Sequence, residues 1–438
     1  MQTLKGRGDG LMQRLEHEVP LPARAGVPAL DALRHAGTPV GDKLLALLQQ
    51  LGDGAVLAPI YRTDIRRLHR RVRHGGALIE LAYDRGLIIA GESRVRVDEI
   101  EFELIRGPSA ALVDLAERWS RRFGLWWDVR TKSERGYRLA LGIDQTPAVK
   151  ALPSSLPKGS GPEAALAQML GTALSQALPN AAEIASGTAT PEHLHQLRVA
   201  LRRLRTAVRV FAAWAPDAAG SLALEADWRE PFGLLGAARD TDVIAQTLLP
   251  ALAAAGAPAL PPSPPSFGVS ADDVVRGVSF NSLLLRTLAL CAATPSASAA
   301  PVDPADPAEA ANKSNARAAV QPLWRQVRRA APAFAQTSME DQHRLRKRIK
   351  RLRYALESVQ PLLKRKPGGA FLRALRRALG ALGELNDLQV ADALYRQRAL
   401  AEPQAWFAVG YLAARRQAAL DASVAALARL TDLKLVWR

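Results

Sequence analysis

The sequence predicts a multidomain α+β chain: an N-terminal region of antiparallel strands, then an all-α bundle of two pseudo-symmetric helical halves. Three observations carry this reading. Residues 1–142 show strand-like alternation, residues 163–438 are rich in Ala, Leu and Arg with helical periodicity, and one basic helix occurs twice in the helical part. The stretch 143–162, with four prolines, reads as a linker between them. A chain of 438 residues is long enough for two or three domains.

In the N-terminal region, Asp98-Glu99-Ile100-Glu101-Phe102-Glu103-Leu104 alternates acidic and apolar residues, which puts Glu99, Glu101 and Glu103 on one face of a strand. Ile79 to Gly86 reads as another strand ending in a turn, and Arg130 to Tyr137 as the entry to a last strand. Arg62, Arg66, Lys132 and Arg135 add cations. Several carboxylates on one face are costly to bury unless cations satisfy them; a solvated strand face is the commoner arrangement.

In the helical region, the first basic copy runs from His195 to Arg205 and the second from His343 to Arg353. His195 matches His343, Arg198 matches Arg346, Arg202 matches Lys350, Arg203 matches Arg351 and Arg205 matches Arg353. Downstream, Leu235-Gly236 and Asp240 pair with Leu382-Gly383 and Asp387. At about 100° per residue, His195, Arg198, Arg202, Arg205 and Arg209 fall within about 80° of one another. Leu197, Leu201, Leu204, Val208 and Phe211 form the opposite, apolar stripe. His343, Arg346, Lys350 and Arg353 repeat the cationic face, and Leu345, Ile349, Leu352 and Leu356 the apolar one. Like charges at this spacing repel, and no Glu intervenes on the face. One such helix reads equally well as a solvated face; two in matched register favour a binding surface. Ala/Pro/Ser-rich segments near 254–270 and 292–312 read as surface loops, leaving eight to ten helices in two halves, about 163–291 and 313–438.

Composition narrows the partner. The formal net charge is +17 and the pI about 10.6, which favours anionic partners. Segment 341–366 holds ten Lys and Arg against Asp341 and Glu357 alone. Aromatics are only 5%, whereas single-strand nucleic-acid binders interleave rings for base stacking; nucleic acid therefore ranks behind a ligand that is mostly charge. A single cysteine, Cys291, excludes a disulfide framework or a cysteine zinc site. Lys5 and Arg7 are followed by no apolar core, and the uncharged stretch 243–271 is broken by prolines, so neither a leader nor a membrane span is expected and the location expected is cytoplasmic. There is no dinucleotide-binding glycine motif after a strand and no Walker lysine. His193 and His195 diverge too far on a helix to share one ion.

The paired His-x-x-Arg-x-x-x-[Arg/Lys]-Arg-x-Arg helices, each followed by Leu-Gly and Asp, resemble the CHAD domain, a family named for conserved histidines on an α-helical fold. The resemblance covers roughly 163–438. It implies binding of inorganic polyphosphate through His195, Arg198, Arg202, Arg205, Arg209, His343, Arg346, Lys350 and Arg353, with Arg325, Arg329, Arg376 and Arg377 extending the surface. Association with phosphate- or polyester-storage granules is a further implication. Residues 1–142 resemble a CYTH domain, the triphosphate tunnel. The resembling segments are Gln2-Thr3-Leu4-Lys5, Arg14 and Glu16, Tyr61-Arg62-Thr63, Glu80 to Gly86, Glu99 to Leu104 and Lys132 to Tyr137. That family is an eight-stranded barrel. By analogy Lys5, Arg62, Lys132 and Arg135 contact phosphates in the catalytic tunnel, and Glu101 and Glu103 face a Mg2+ or Mn2+ ion. The family's opening Glu-x-Glu-x-Lys and Arg-x-Arg strands precede the Gln-Thr-Leu-Lys segment, which here lies at 2–5. The expectation is therefore a truncated, partial barrel, either because the start is misassigned or because the domain is degenerate. As given, it would be a poor or inactive triphosphatase. Metal-dependent inorganic triphosphatase, if the missing N-terminal strands are supplied, is the alternative function, and generic nucleic-acid or polyanion binding the second alternative.

Overall fold

The computed structural model describes residues 1–8, 11, 14–22, 30–52, 57–156, 161–243, 248–258, 269–292 and 307–437. The chain divides into two compact units, one of Met1–Arg71, Glu80–Phe102 and Arg130–Thr146, the other of Val72–Ile79, Glu103–Val129 and Pro147–Arg438.

In the first unit, β1 (Gln2–Arg7) pairs antiparallel with β2 (Arg14–Val19), with Lys5 opposite Glu16. Helix α1 (Pro39–Leu51) starts where Thr38 accepts a hydrogen bond from the Gly41 amide. β3 (Arg62–His74), β4 (Ala77–Ala90) and β5 (Ser93–Arg106) form a three-stranded meander in that order. Its first turn is Gly75-Gly76, both at positive φ (51° and 78°), as a two-residue hairpin of this hand requires. Antiparallel sheets of two and three strands are thus present, with no closed barrel among the described residues.

Two sequence expectations fail here. Gly86 does not end a strand: β4 runs on to Ala90, and a Cβ at 86 would lie 2.0 Å from the Asp64 carbonyl oxygen, so the glycine serves close backbone approach inside the sheet. Residues 130–137 do not enter a strand but form helix α3 (Lys132–Ala140). Thr131 caps it by accepting from the Glu134 amide, and within Lys132–Ala140 there is no β-branched residue to favour extension. Helices α1 and α2 (Ser109–Phe123) also interrupt a region whose alternation suggested strands.

The second unit is helical. Its members are α2, then α4 (Pro162–Ala185), α5 (Pro191–Val210), α6 (Ala218–Asp227), α7 (Arg229–Val243), α8 (Leu249–Ala254), α9 (Ala271–Arg276), α10 (Val278–Ala292), α11 (Pro307–Ala330), α12 (Met339–Ser358), α13 (Arg365–Ala399) and α14 (Trp406–Thr431). α4 lies along α5, α13 along α14, and α5 packs on α12. The predicted apolar stripes form the core: Leu197, Leu201, Leu204, Val208 and Phe211 are all fully buried, as are Ile349, Leu352 and Leu356. At about 25 cal/mol per Å² this burial is the main stabilising term. α11 takes in residues 307–312 of the second low-complexity segment, while 259–268 and 293–306 lie outside the described residues. Part of the proline-rich stretch is held against the helices rather than free. The Val149 backbone exchanges hydrogen bonds with the Asn180 amide side chain (3.1 and 2.9 Å), and Ser154 Oγ donates to the Ser358 carbonyl at 2.6 Å. Among the described residues no helix is long and apolar enough to cross a membrane.

Candidate functional site

The two basic helices bring their cationic faces to each other along the α5–α12 contact. α5 is set by Thr190 and His193: the Thr190 amide donates to His193 Nδ1 at 2.9 Å, closing a capping box that buries His193 and leaves His195 half-exposed on the cationic side. Arg198 Nη1 donates to the Phe232 carbonyl at 3.3 Å and lies against Gly236, where a Cβ would come within 2.7 Å of that nitrogen. The Leu-Gly pair after the first basic helix is therefore a seat for Arg198. In the second half, the corresponding Cβ at Gly383 would sit 3.9 Å from Arg346 Nη2, an ordinary contact.

Arg205 is held by Glu225 on α6, at 3.1 Å through Nε and 2.7 Å through Nη2. On α12, His343 Nδ1 hydrogen-bonds Asn386 Oδ1 at 2.8 Å, and Arg346 reaches Asp387 at 4.0 Å. Arg353 stacks on Tyr354 at 4.3 Å, and Glu357 lies 3.7 Å from its Nε. Arg209 is exposed at the end of α5. Lys350 stands among Arg202 of α5 and Arg346 and Arg353 of α12, with Asp387 as counter-charge. Burial, reinforced by those three guanidiniums, pulls its ammonium down to about 7. Arg351 is likewise lowered by burial and by Arg209, Arg205 and Arg348. Its repeat partner Arg203 is also lowered by burial, with Glu357 and Arg353 nearby as Glu225 and Arg205 are near Arg351, and it donates to the Gln176 side chain and the Leu152 carbonyl. Arg325, Arg329 and Arg377 are exposed, and Arg376 pairs with Glu357 at 3.0 Å. The side chain of Asp240 lies outside the described residues.

The N-terminal unit carries a second constellation. Oxygens of Asp84 on β4 and of Glu99 and Glu101 on β5 lie within 4.8 Å of one another. Lys132 Nζ sits among them, 2.7 Å from Asp84, 2.5 Å from Glu99 and 2.7 Å from Glu101. Arg67 grips Asp84 through two hydrogen bonds (2.7 and 2.6 Å) and Glu101 through a third at 2.9 Å, and Arg135 pairs with Glu99. Burial alone would raise Asp84, but Arg67 and Lys132 hold it below the usual carboxylate range. Burial likewise opposes the Lys132 charge, and the carboxylates overcome it and raise its pKa. Sequence reasoning placed Lys132, Arg135 and Glu101 here but missed Asp84 and Arg67. The signal was the two-residue alternation of β4, Glu80-x-Ala82-x-Asp84, read one strand from the acidic face. Glu103 is exposed further along β5, outside this group; Lys5 is exposed and paired with Glu16 at 2.8 Å; Arg62 is exposed at the start of β3. An all-oxygen donor set suits Mg2+ or Mn2+. It would take one only with Lys132 withdrawn, because the ammonium occupies the centre of the group.

Residues 168–396 match the family model of the CHAD domain. The chain belongs to the CHAD domain family. That match takes in α5, α12 and most of α13, which carry the repeated cations. The crystal structure of the CHAD domain from the plant Ricinus communis is 28% identical and covers 66% of this chain and 99% of that one, with a TM-score of 0.49. The N-terminal region is homologous to an inorganic triphosphatase of Haemophilus influenzae, 34% identical over 142 residues. Those residues are 31% of this chain and 37% of that protein, so the chain spans little more than a third of the length of this curated relative.

Proposed function

We propose that the CHAD domain binds inorganic polyphosphate along the α5–α12 contact, through His195, Arg198, Arg202, Arg205, Arg209, His343, Arg346, Lys350 and Arg353. One observation carries the reading: Lys350 is half-buried among guanidiniums from both helices, with Asp387 the acidic group opposing them. Such a cluster is electrostatically unfavourable by itself, and a closely spaced run of phosphates relieves it from both sides. Scarce aromatics favour a ligand without bases. Granule association would follow from the same surface.

The test is reversal of charge at the contact. Arg202→Glu and Lys350→Glu, singly and together, are expected to reduce polyphosphate affinity at least tenfold each, since every cation removed takes away phosphate neutralisation. Binding isotherms across a salt series, with DNA as competitor, measure this. Tight binding that DNA displaces poorly supports a polyphosphate receptor. Equal displacement by DNA would reduce the surface to a general polyanion binder.

A second reading has its own observation. The triphosphatase homology and the Asp84/Glu99/Glu101 group with Lys132 and Arg135 favour triphosphate binding in the N-terminal unit, where a partial tunnel would use those cations on phosphate. A divalent metal bound there would neutralise phosphate charge and activate water.

A further inference from the structure

The cations of the first basic helix are gathered round a single ring. The guanidinium carbons of Arg198, Arg202 and Arg205 lie 5.0, 5.3 and 5.0 Å from the centroid of Phe232 on α7. Arg198 is tied to the same residue through its carbonyl, and Arg205 also donates to Glu225. Like charges at this helical spacing repel, and left to themselves would splay into solvent. The ring quadrupole attracts each guanidinium and draws all three towards one point. Among the described residues, the second basic helix has one ring contact, Arg353 over its own neighbour Tyr354 at 4.3 Å, and no ring that gathers several cations. The Leu235/Leu382 register puts Leu379 opposite Phe232, a buried aliphatic side chain with no ring face to offer.

We propose that Phe232 is a positioning residue of the polyanion site, holding Arg198, Arg202 and Arg205 side by side before the ligand arrives. The proposal rests on the polyphosphate reading and makes the two halves unequal within it. The first half presents three ordered guanidiniums, so less side-chain entropy is lost when phosphates bind there. The second half holds its cations one by one, His343 by Asn386, Arg346 near Asp387 and Arg353 by Tyr354 and Glu357, rather than round one ring. Phe232 itself touches no phosphate; it acts through the arginines.

The experiment uses the full chain and inorganic polyphosphate of one length, with isotherms over a salt series for wild type, Phe232→Leu and Phe232→Trp. Phe232→Leu is expected to bind about tenfold more weakly. Its salt slope should match that of wild type, because every cation remains. Phe232→Trp keeps a ring face and is expected to bind as wild type does. Leu binding as tightly as wild type overturns the proposal. Leu and Trp failing equally also overturns it, since packing alone would then be at stake. A wild-type chain that does not bind polyphosphate defeats the parent reading instead, and the two failures are told apart by that first isotherm.

Discussion

Lys350 converts the crowding of charge into a pH dependence. In the ligand-free domain its pKa is about 7, against about 10.4 for an ordinary lysine, because burial and the neighbouring Arg202, Arg346 and Arg353 disfavour the ammonium. Phosphates placed beside it favour the ammonium and raise that pKa, so binding above pH about 7 takes up a proton. Polyphosphate affinity is therefore expected to fall as pH rises from about 7 towards the raised pKa of the complex, and to level off at lower pH as the free lysine becomes charged. Calorimetry in two buffers of different ionisation enthalpy reads the proton directly. Lys350→Arg should keep the binding and lose this component of its pH dependence. Stability moves oppositely. Between about 7 and about 10.4 the unfolded chain holds a proton that the folded one has released, so the ligand-free domain gains stability with rising pH in that window. No proton uptake at the binding step would show that Lys350 lies off the phosphate path.

At the scale of elements, the repeat is legible in the sequence as period and register but not as packing. The apolar stripes of α5 and α12 lie where the helical wheel puts them, because burial of Leu at regular spacing is all that such a helix needs. What the register hides is that equivalent glycines do different work. A Cβ at Gly236 meets Arg198 Nη1 at 2.7 Å, whereas one at Gly383 has room. Gly236→Ala is expected to push the Arg198 head group aside and weaken polyphosphate binding severalfold. The obstructed atom is the far end of a flexible side chain, so the unfolding temperature should change little. Gly383→Ala should leave binding as it is and add about 0.5–1 kcal/mol of stability from helix propensity. Equal effects in the two binding curves would mean that Arg198 is not seated by Gly236. The segment from Lys132 shows the opposite failure of sequence reading. Its helix is only nine residues long, and the cap at Thr131 marks its start where analogy with a strand-built tunnel suggested extension.

Across the whole molecule, the two regions proposed to meet phosphate differ in how their charge is balanced, and this decides how much of each could be read in advance. The CHAD site is built from one helical motif used twice, so its cations are visible in the sequence. Its tuning groups, Phe232 and Glu225, come from other helices through tertiary packing that no local pattern encodes. In the N-terminal unit the balance is internal: Lys132, Arg67 and Arg135 already satisfy Asp84, Glu99 and Glu101. A metal ion there must displace an ammonium held by three carboxylates at 2.5–2.7 Å, and a phosphate that recruits Lys132 must take it from the same partners. Incubating the full chain with tripolyphosphate and Mg2+ or Mn2+ is therefore expected to release phosphate slowly or not at all, while polyphosphate binding by the CHAD domain proceeds in the same tube. Brisk metal-dependent release, abolished by Glu101→Gln but not by Lys350→Glu, would mean that Lys132 yields readily to substrate and that the acidic group works as a hydrolytic centre. Release lost equally in both variants would place the cleavage on the helical surface and link the two regions in one reaction.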